Sequence, residues 1–163
     1  MFKVNDKVVF KGSGVCNIQR IETKSIDDKE NQFYVLRVLF DDMMIISPIN
    51  SDLIRPLIKL ADMPKIYKIL KTASKADNTT WNRRYREYTE KLKTGDAYEI
   101  AFIVRCLTDL RSKKDLSFGE RKMLDQAKNL LAQEIASVKE ISEFATEQLI
   151  NTHLDTKTAL HLV

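Results

Sequence analysis

Histidine is almost absent from this chain of 163 residues: only His153 and His161 occur, both near the C-terminal end. No spacing in the sequence suggests a Ser-His-Asp or Cys-His arrangement, or a His/Cys/carboxylate metal cluster. Glycine is scarce as well, with four residues and no glycine-rich loop that could cradle a phosphate. Cys16 and Cys106 lie far apart in apolar-looking segments, which fits two buried thiols in a reducing compartment. They could form one disulfide, but nothing in the sequence calls for it. No apolar run approaches membrane-spanning length, and the opening MFKVNDKVVFKGSG lacks the apolar stretch of a signal peptide. The paired acids Asp27-Asp28 and Asp41-Asp42 both fall in predicted turns, where such residues are usually structural. The expectation is a cytoplasmic, non-enzymatic protein without metal, cofactor, small-molecule substrate or membrane partner.

What is present is charge, unevenly placed. The net charge of +4 hides a gradient: residues 1–58 are neutral, residues 59–131 carry a net of +7, and residues 132–163 a net of −3. A basic middle segment suggests an anionic partner, with nucleic acid the usual candidate. A neutral first segment suggests a different task, such as contact with a protein.

Residues 1–57 read as β structure. Strands are expected over 2–10, 15–23, 33–40, 43–47 and 53–55, with turns at Gly12-Ser13-Gly14 and Asp41-Asp42 and a polar loop over 25–32. Five short strands with short connections suggest a small, strongly bent sheet or barrel. The segment MMIIS (43–47) has too little polar alternation for a solvent-facing edge. It is expected to be buried on both faces, the alternative being an edge offered to a partner strand. Helical patterning begins near residue 60. Pro64 marks the first turn of one helix, and a polar loop follows over 74–78. Gly95 closes a second helix. Asp96 with Glu99 and Ser117 with Glu120 are capping-box pairs that open two more, the first apolar nearly all round and hence central. A last helix is expected over 142–153. The fold class is thus α+β: a five-stranded β domain (1–57), a compact basic domain of about five helices (60–155) and a C-terminal tail (156–163).

The stretch TTWNRRYREYTEKLK (79–93) holds the single tryptophan, Trp81, beside Arg83, Arg84 and Arg86, with Tyr85 and Tyr88 interleaved. An indole among fixed positive charges can stack or wedge against bases while arginines hold phosphates. Trp81, Tyr85, Tyr88 and Leu92 also recur at the spacing of one helix face, which is usually core. With Thr79 or Thr80 as N-cap, Trp81 sits in the first turn, where a side chain can overhang the helix end.

Three segments resemble the CarD/CdnL family of bacterial transcription factors. FKVNDKVVFKGSGVCNIQRIET resembles the family's opening strands, TTWNRRYREYTEKLKTGD its tryptophan motif, and DLSFGERKMLDQAKNLLAQEIA its "LS-GEKRML" helix. Order and spacing agree from residue 2 to about 150. The resemblance implies a Tudor-like β-barrel that binds the β subunit of RNA polymerase, and a helical domain that touches promoter DNA at the upstream edge of the bubble. It implies that Trp81 is exposed and wedges into the minor groove, that Arg83 and Arg86 contact the DNA backbone with Arg84 a weaker candidate, and that Lys24, Ile46 and Pro48 meet polymerase. It also implies nucleoid association. Tyr85, Tyr88 and Leu92 keep the core reading. Thr80 and Asn82 stand where the family has Asn and Ser, and Ile46 where some members have arginine. The competing readings are a stand-alone sequence-specific DNA-binding protein and a protein–protein adaptor without DNA contact.

Overall fold

Alternating apolar residues and tight-turn chemistry build the N-terminal sheet. The computed structural model describes residues 1–74 and 80–161, the last six of these as backbone alone. Five strands, β1 (Lys7–Phe10), β2 (Gly14–Ile26), β3 (Lys29–Val38), β4 (Met44–Pro48) and β5 (Ile54–Pro56), form one antiparallel sheet in the order β4-β3-β2-β1-β5. The sheet is open: β4 and β5 are its two edges, so the expected barrel is not closed by hydrogen bonds. Short edge strands of five and three residues leave little ladder with which to join. One face buries Val8, Cys16, Ile18, Tyr34, Leu36 and Val38 together.

Three local expectations are corrected in this unit. The first strand starts at Lys7, because Asn5 adopts φ 74° in a turn ahead of it. The expected loop over 25–32 is instead the end of a long β2–β3 hairpin, with Ile26 paired to Lys29 across a two-residue turn. Asp27 and Asp28 take φ values of 51° and 61°, the doubly left-handed geometry that matches strand twist. The polar residues around that turn are exposed, so no hydrophobic face signalled the strands. Third, β4 is an edge rather than a strand buried on both faces: it pairs only with β3, leaving Met44 and Ile46 exposed and Ser47 buried.

The helices follow their caps. The chain enters through a short 3-10 turn (Leu60–Asp62) into α1 (Met63–Lys71), then α2 (Trp81–Thr94), α3 (Ala97–Arg111), α4 (Phe118–Lys139) and α5 (Glu143–His161). Pro64 occupies the first turn of α1, and Gly95 closes α2 at φ 65°. Residues 75–78 of the expected polar loop, and Thr79 as N-cap, lie outside the described residues. α5 continues to His161, eight residues past its expected end at His153, because no Gly or Pro interrupts the segment. The Ser117–Glu120 capping box is complete. The Asp96–Glu99 one is not: Asp96 accepts from the Tyr98 N–H, but its own N–H goes to Thr94 Oγ1, and Glu99 pairs with Lys91 at 3.2 Å.

α3 is the central helix, packed against α1, α2 and α4 and buried at Ile100, Ile103, Val104 and Leu107. It carries a buried ion pair that periodicity did not disclose. Arg105 bonds Asp109 and donates to the carbonyls of Leu70 (2.7 Å) and Leu154 (3.0 Å), while Asp109 accepts from the N–H and hydroxyl of Ser74. Such a pair is tolerable inside a core because both charges are hydrogen-bonded. It ties the end of α1 and a turn of α5 to α3. The chain divides into two compact units, Met1–Leu57 and Ile58–Val163. Among the described residues, no helix is long and apolar enough to cross a membrane.

Candidate nucleic-acid interface and partner-binding sheet face

In the helical unit the site is the start of α2. The far end of that helix is fixed by Tyr88 and Leu92, both buried in the core as expected. Lys91 adds an ion pair with Glu99 and sits 4.5 Å from the Phe102 ring. The near end is fixed differently. Arg84, 11% exposed, forms an ion pair at 3.6 Å with Glu120, which is 1% exposed. Glu120 also accepts from the Ser117 N–H (3.0 Å) and from Lys114 Nζ (3.2 Å). Burial alone would push the Glu120 carboxyl up. The hydrogen bonds from Ser117 and the Lys114 ammonium outweigh it and hold the group below the ordinary carboxylate range.

This network sets Trp81. A Cβ at Gly119 would lie 3.5 Å from Trp81 Cζ2, an ordinary contact distance, so the indole rests directly over Gly119. Tyr85 meets the indole edge-on with centroids 5.5 Å apart, and the Arg84 guanidinium lies 6.0 Å from its ring. Trp81 is consequently half-buried against the helical core, where the resemblance implied an exposed side chain. Tyr85, expected in the core, is 49% exposed.

The three arginines separate. Arg84 turns inward to Glu120 and acts on the indole's position. Arg83 and Arg86 are exposed and three residues apart, so they share a face, roughly opposite the Trp81–Tyr88 stripe. No described residue gives either one an ion partner. Thr80 caps α2 without a side-chain bond, and the first turn holds no acid, so its positive end is not neutralised by either device. The arrangement offers an aromatic plane and exposed cations at one helix end, which suits a polyanion carrying planar bases.

In the sheet unit, strand register brings Lys24, Ile46 and Pro48 to one face. A bulge between Ile18 and Arg20 shifts β2 so that Glu22, Phe33 and Pro48 lie in one row and Arg20, Val35 and Ile46 in the next. Lys24 Nζ lies 5.9 Å from the Phe33 ring and 3.7 Å from Glu22. The Arg20 hydrogen bond, more than Lys24, holds the Glu22 carboxyl below its usual range. Ile46 is 54% exposed on an unpaired strand edge with Met43 and Met44 beside it. A row of exposed apolar side chains along so short an edge strand is a place for another chain to pack against.

Residues 2–58 match the family described as the CarD-like/TRCF RID domain, and residues 65–151 match CarD, C-terminal domain. The chain belongs to the CarD family. It is a transcription regulator of that family, its two matched segments following the two compact units to within one residue at their boundary. A Bacillus subtilis (strain 168) protein named "Putative transcription factor YdeB" is 33% identical over 146 residues, covering 88% of this chain and 95% of the relative. Among the described residues, no group of histidine, cysteine and acidic side chains could hold a metal ion. Two features of this CarD-family chain were not anticipated from its sequence. Ser117 and Glu120 were legible as a cap, but the added pairing of Glu120 with Arg84 had no sequence signal, being a contact between two helices. The exposure of Phe118 was likewise unseen, because one apolar residue beside a cap has no periodicity of its own.

Proposed function

We propose that this CarD-family regulator binds the β subunit of RNA polymerase through its sheet unit and holds promoter DNA open through its helical unit. The observation that carries the reading is the Trp81 indole, fixed over Gly119 at a helix start by the Arg84–Glu120 pair, with Arg83 and Arg86 exposed nearby. Wedging a ring between bases costs a few kcal/mol of unstacking, so it favours DNA that is already strained or parting. A ring that is pre-positioned loses little freedom on binding. Arg83 and Arg86 contact phosphates, which supplies affinity without sequence information. Arg84, engaged by Glu120, orients the indole rather than touching DNA. Lys24, Ile46 and Pro48, with the exposed edge of β4, form the polymerase contact, and Ile46 makes it apolar at its centre. Tethering to polymerase raises the local concentration of the helical unit at the upstream edge of the bubble. Such a factor works in the cytoplasm, on the nucleoid.

Permanganate reactivity of promoter thymines in the presence of cognate polymerase tests the two contacts together. The full chain should raise the reactivity of unpaired thymines. Ile46→Ala should need more protein to reach the same level, whereas Trp81→Ala should fail to reach it at any concentration. A chain that leaves reactivity unchanged while binding polymerase would defeat the DNA half of the proposal.

A further inference from the structure

Phe118 is the first residue of α4 and is 77% exposed, the most exposed aromatic ring among the described residues. It stands between Ser117, whose hydroxyl accepts the Glu120 N–H, and Gly119, over which the Trp81 indole rests. Two aromatic rings therefore occupy the same end of α4. Helical spacing places Arg121 and Lys122 on the face of Phe118, three and four residues on. Both are exposed, and no described residue gives either an ion partner. Asp125, one turn further along the same stripe, closes the cationic patch. The completed capping box fixes the backbone at this point, so Phe118 is presented from a rigid element.

We propose that Phe118 is a second aromatic contact of the DNA-binding surface, stacking on an unpaired base beside the junction that Trp81 engages, with Arg121 and Lys122 over the adjoining phosphates. The inference rests on the proposed role of Trp81 and extends it from the duplex edge to the parted strand. The ring and its cations fit single-stranded nucleic acid better than paired DNA. In a duplex both faces of each base are already stacked, whereas an unpaired base can offer its face to a phenyl ring with little regard to sequence. Exposed cations flanking the ring make an acidic, planar ligand the complementary partner.

Fluorescence anisotropy with two labelled DNAs, a fully paired duplex and the same duplex ending in an unpaired fork, tests this over a salt series. The proteins are the full chain, Trp81→Ala, Phe118→Ala and Phe118→Trp. Phe118→Ala should weaken binding to the fork by about 5- to 100-fold, the range for losing one base–aromatic stack. It should leave duplex binding and the dependence of affinity on salt unchanged, because no charge is removed. Phe118→Trp should restore fork binding. Full affinity of Phe118→Ala for the fork, with Trp81→Ala weakened, would overturn the inference and leave the Trp81 reading intact. Equal weakening on fork and duplex would overturn stacking on an unpaired base. Wild-type affinity for both alanine variants would overturn both. An unchanged melting temperature for Phe118→Ala, expected for so exposed a side chain, separates loss of contact from loss of fold.

Discussion

Replacing Glu120 by Gln keeps the size of the side chain and its ability to accept from the Ser117 N–H, but removes the charge that Arg84 and Lys114 face. Lys114 is half-exposed, so its share is small, of the order of 0.5 kcal/mol. Arg84 is 11% exposed and Glu120 1%, so this pair is desolvated and the guanidinium would be left opposite a neutral amide. Breaking a buried pair costs about 3–5 kcal/mol. The 3.6 Å separation and the retained amide acceptor place this case at the low end or below. Together about 2–3 kcal/mol should be lost. Urea unfolding followed by Trp81 fluorescence reads the helical unit alone, since the chain has a single tryptophan. With a slope of about 1–3 kcal/mol per molar, the midpoint should fall by roughly 0.7–3 M. The sign with pH follows from the carboxyl being held below its ordinary value of 4.5. A group with a depressed folded pKa stabilises fully above its unfolded value and loses that contribution as pH falls through the folded one. The gap between wild type and Glu120→Gln should be constant from neutrality down to about pH 5 and close below the unfolded value. Equal midpoints at neutral pH, or a gap that persists undiminished in acid, would refute the positioning role given to Glu120.

Other expectations are quicker to check. Gly119→Ala places a methyl at ordinary contact distance from the indole, 3.5 Å from Cζ2, and relieves a helical glycine. It should raise stability by about 0.5–1 kcal/mol, and a fall in melting temperature would show that the indole leaves no room for the methyl. Cys16 is fully buried and its thiol is pushed up to about 11, so at neutral pH the native protein should not yield Cys16 to an aromatic disulfide reagent until it unfolds. Rapid labelling of Cys16 in the native state would contradict that. Ile46→Ala should weaken binding to polymerase β by about 10-fold while changing stability by less than about 0.5 kcal/mol, measured by calorimetry and thermal melting. An unchanged affinity would remove Ile46 from the contact.

The helices were legible because their signals are local. Pro64, Gly95 and the Ser117–Glu120 pair each act within one turn, and the structure places them where the sequence did. The sheet was legible where strands have a buried face, as over 33–38, and obscure where they do not. The polar β2–β3 extension reads as loop until Asp27 and Asp28 are seen in left-handed geometry. The MMIIS segment misled for the opposite reason: apolar composition suggested burial, while its position at a sheet edge is a property of topology. The same division runs through the site. Trp81, Arg83 and Arg86 stand out by residue type. That Arg84 turns to Glu120, and that Trp81 rests on Gly119, depends on α2 meeting α4, which no local pattern encodes.

The half-life of a promoter open complex, measured with a competitor trap on cognate polymerase, tests the central claim most directly. Wild-type protein should lengthen it. Trp81→Ala should abolish the effect while retaining its fold and its binding to polymerase β, and Arg83→Gln with Arg86→Gln should reduce it in a salt-dependent way. A Trp81→Ala protein that prolongs the complex as well as wild type would contradict the account.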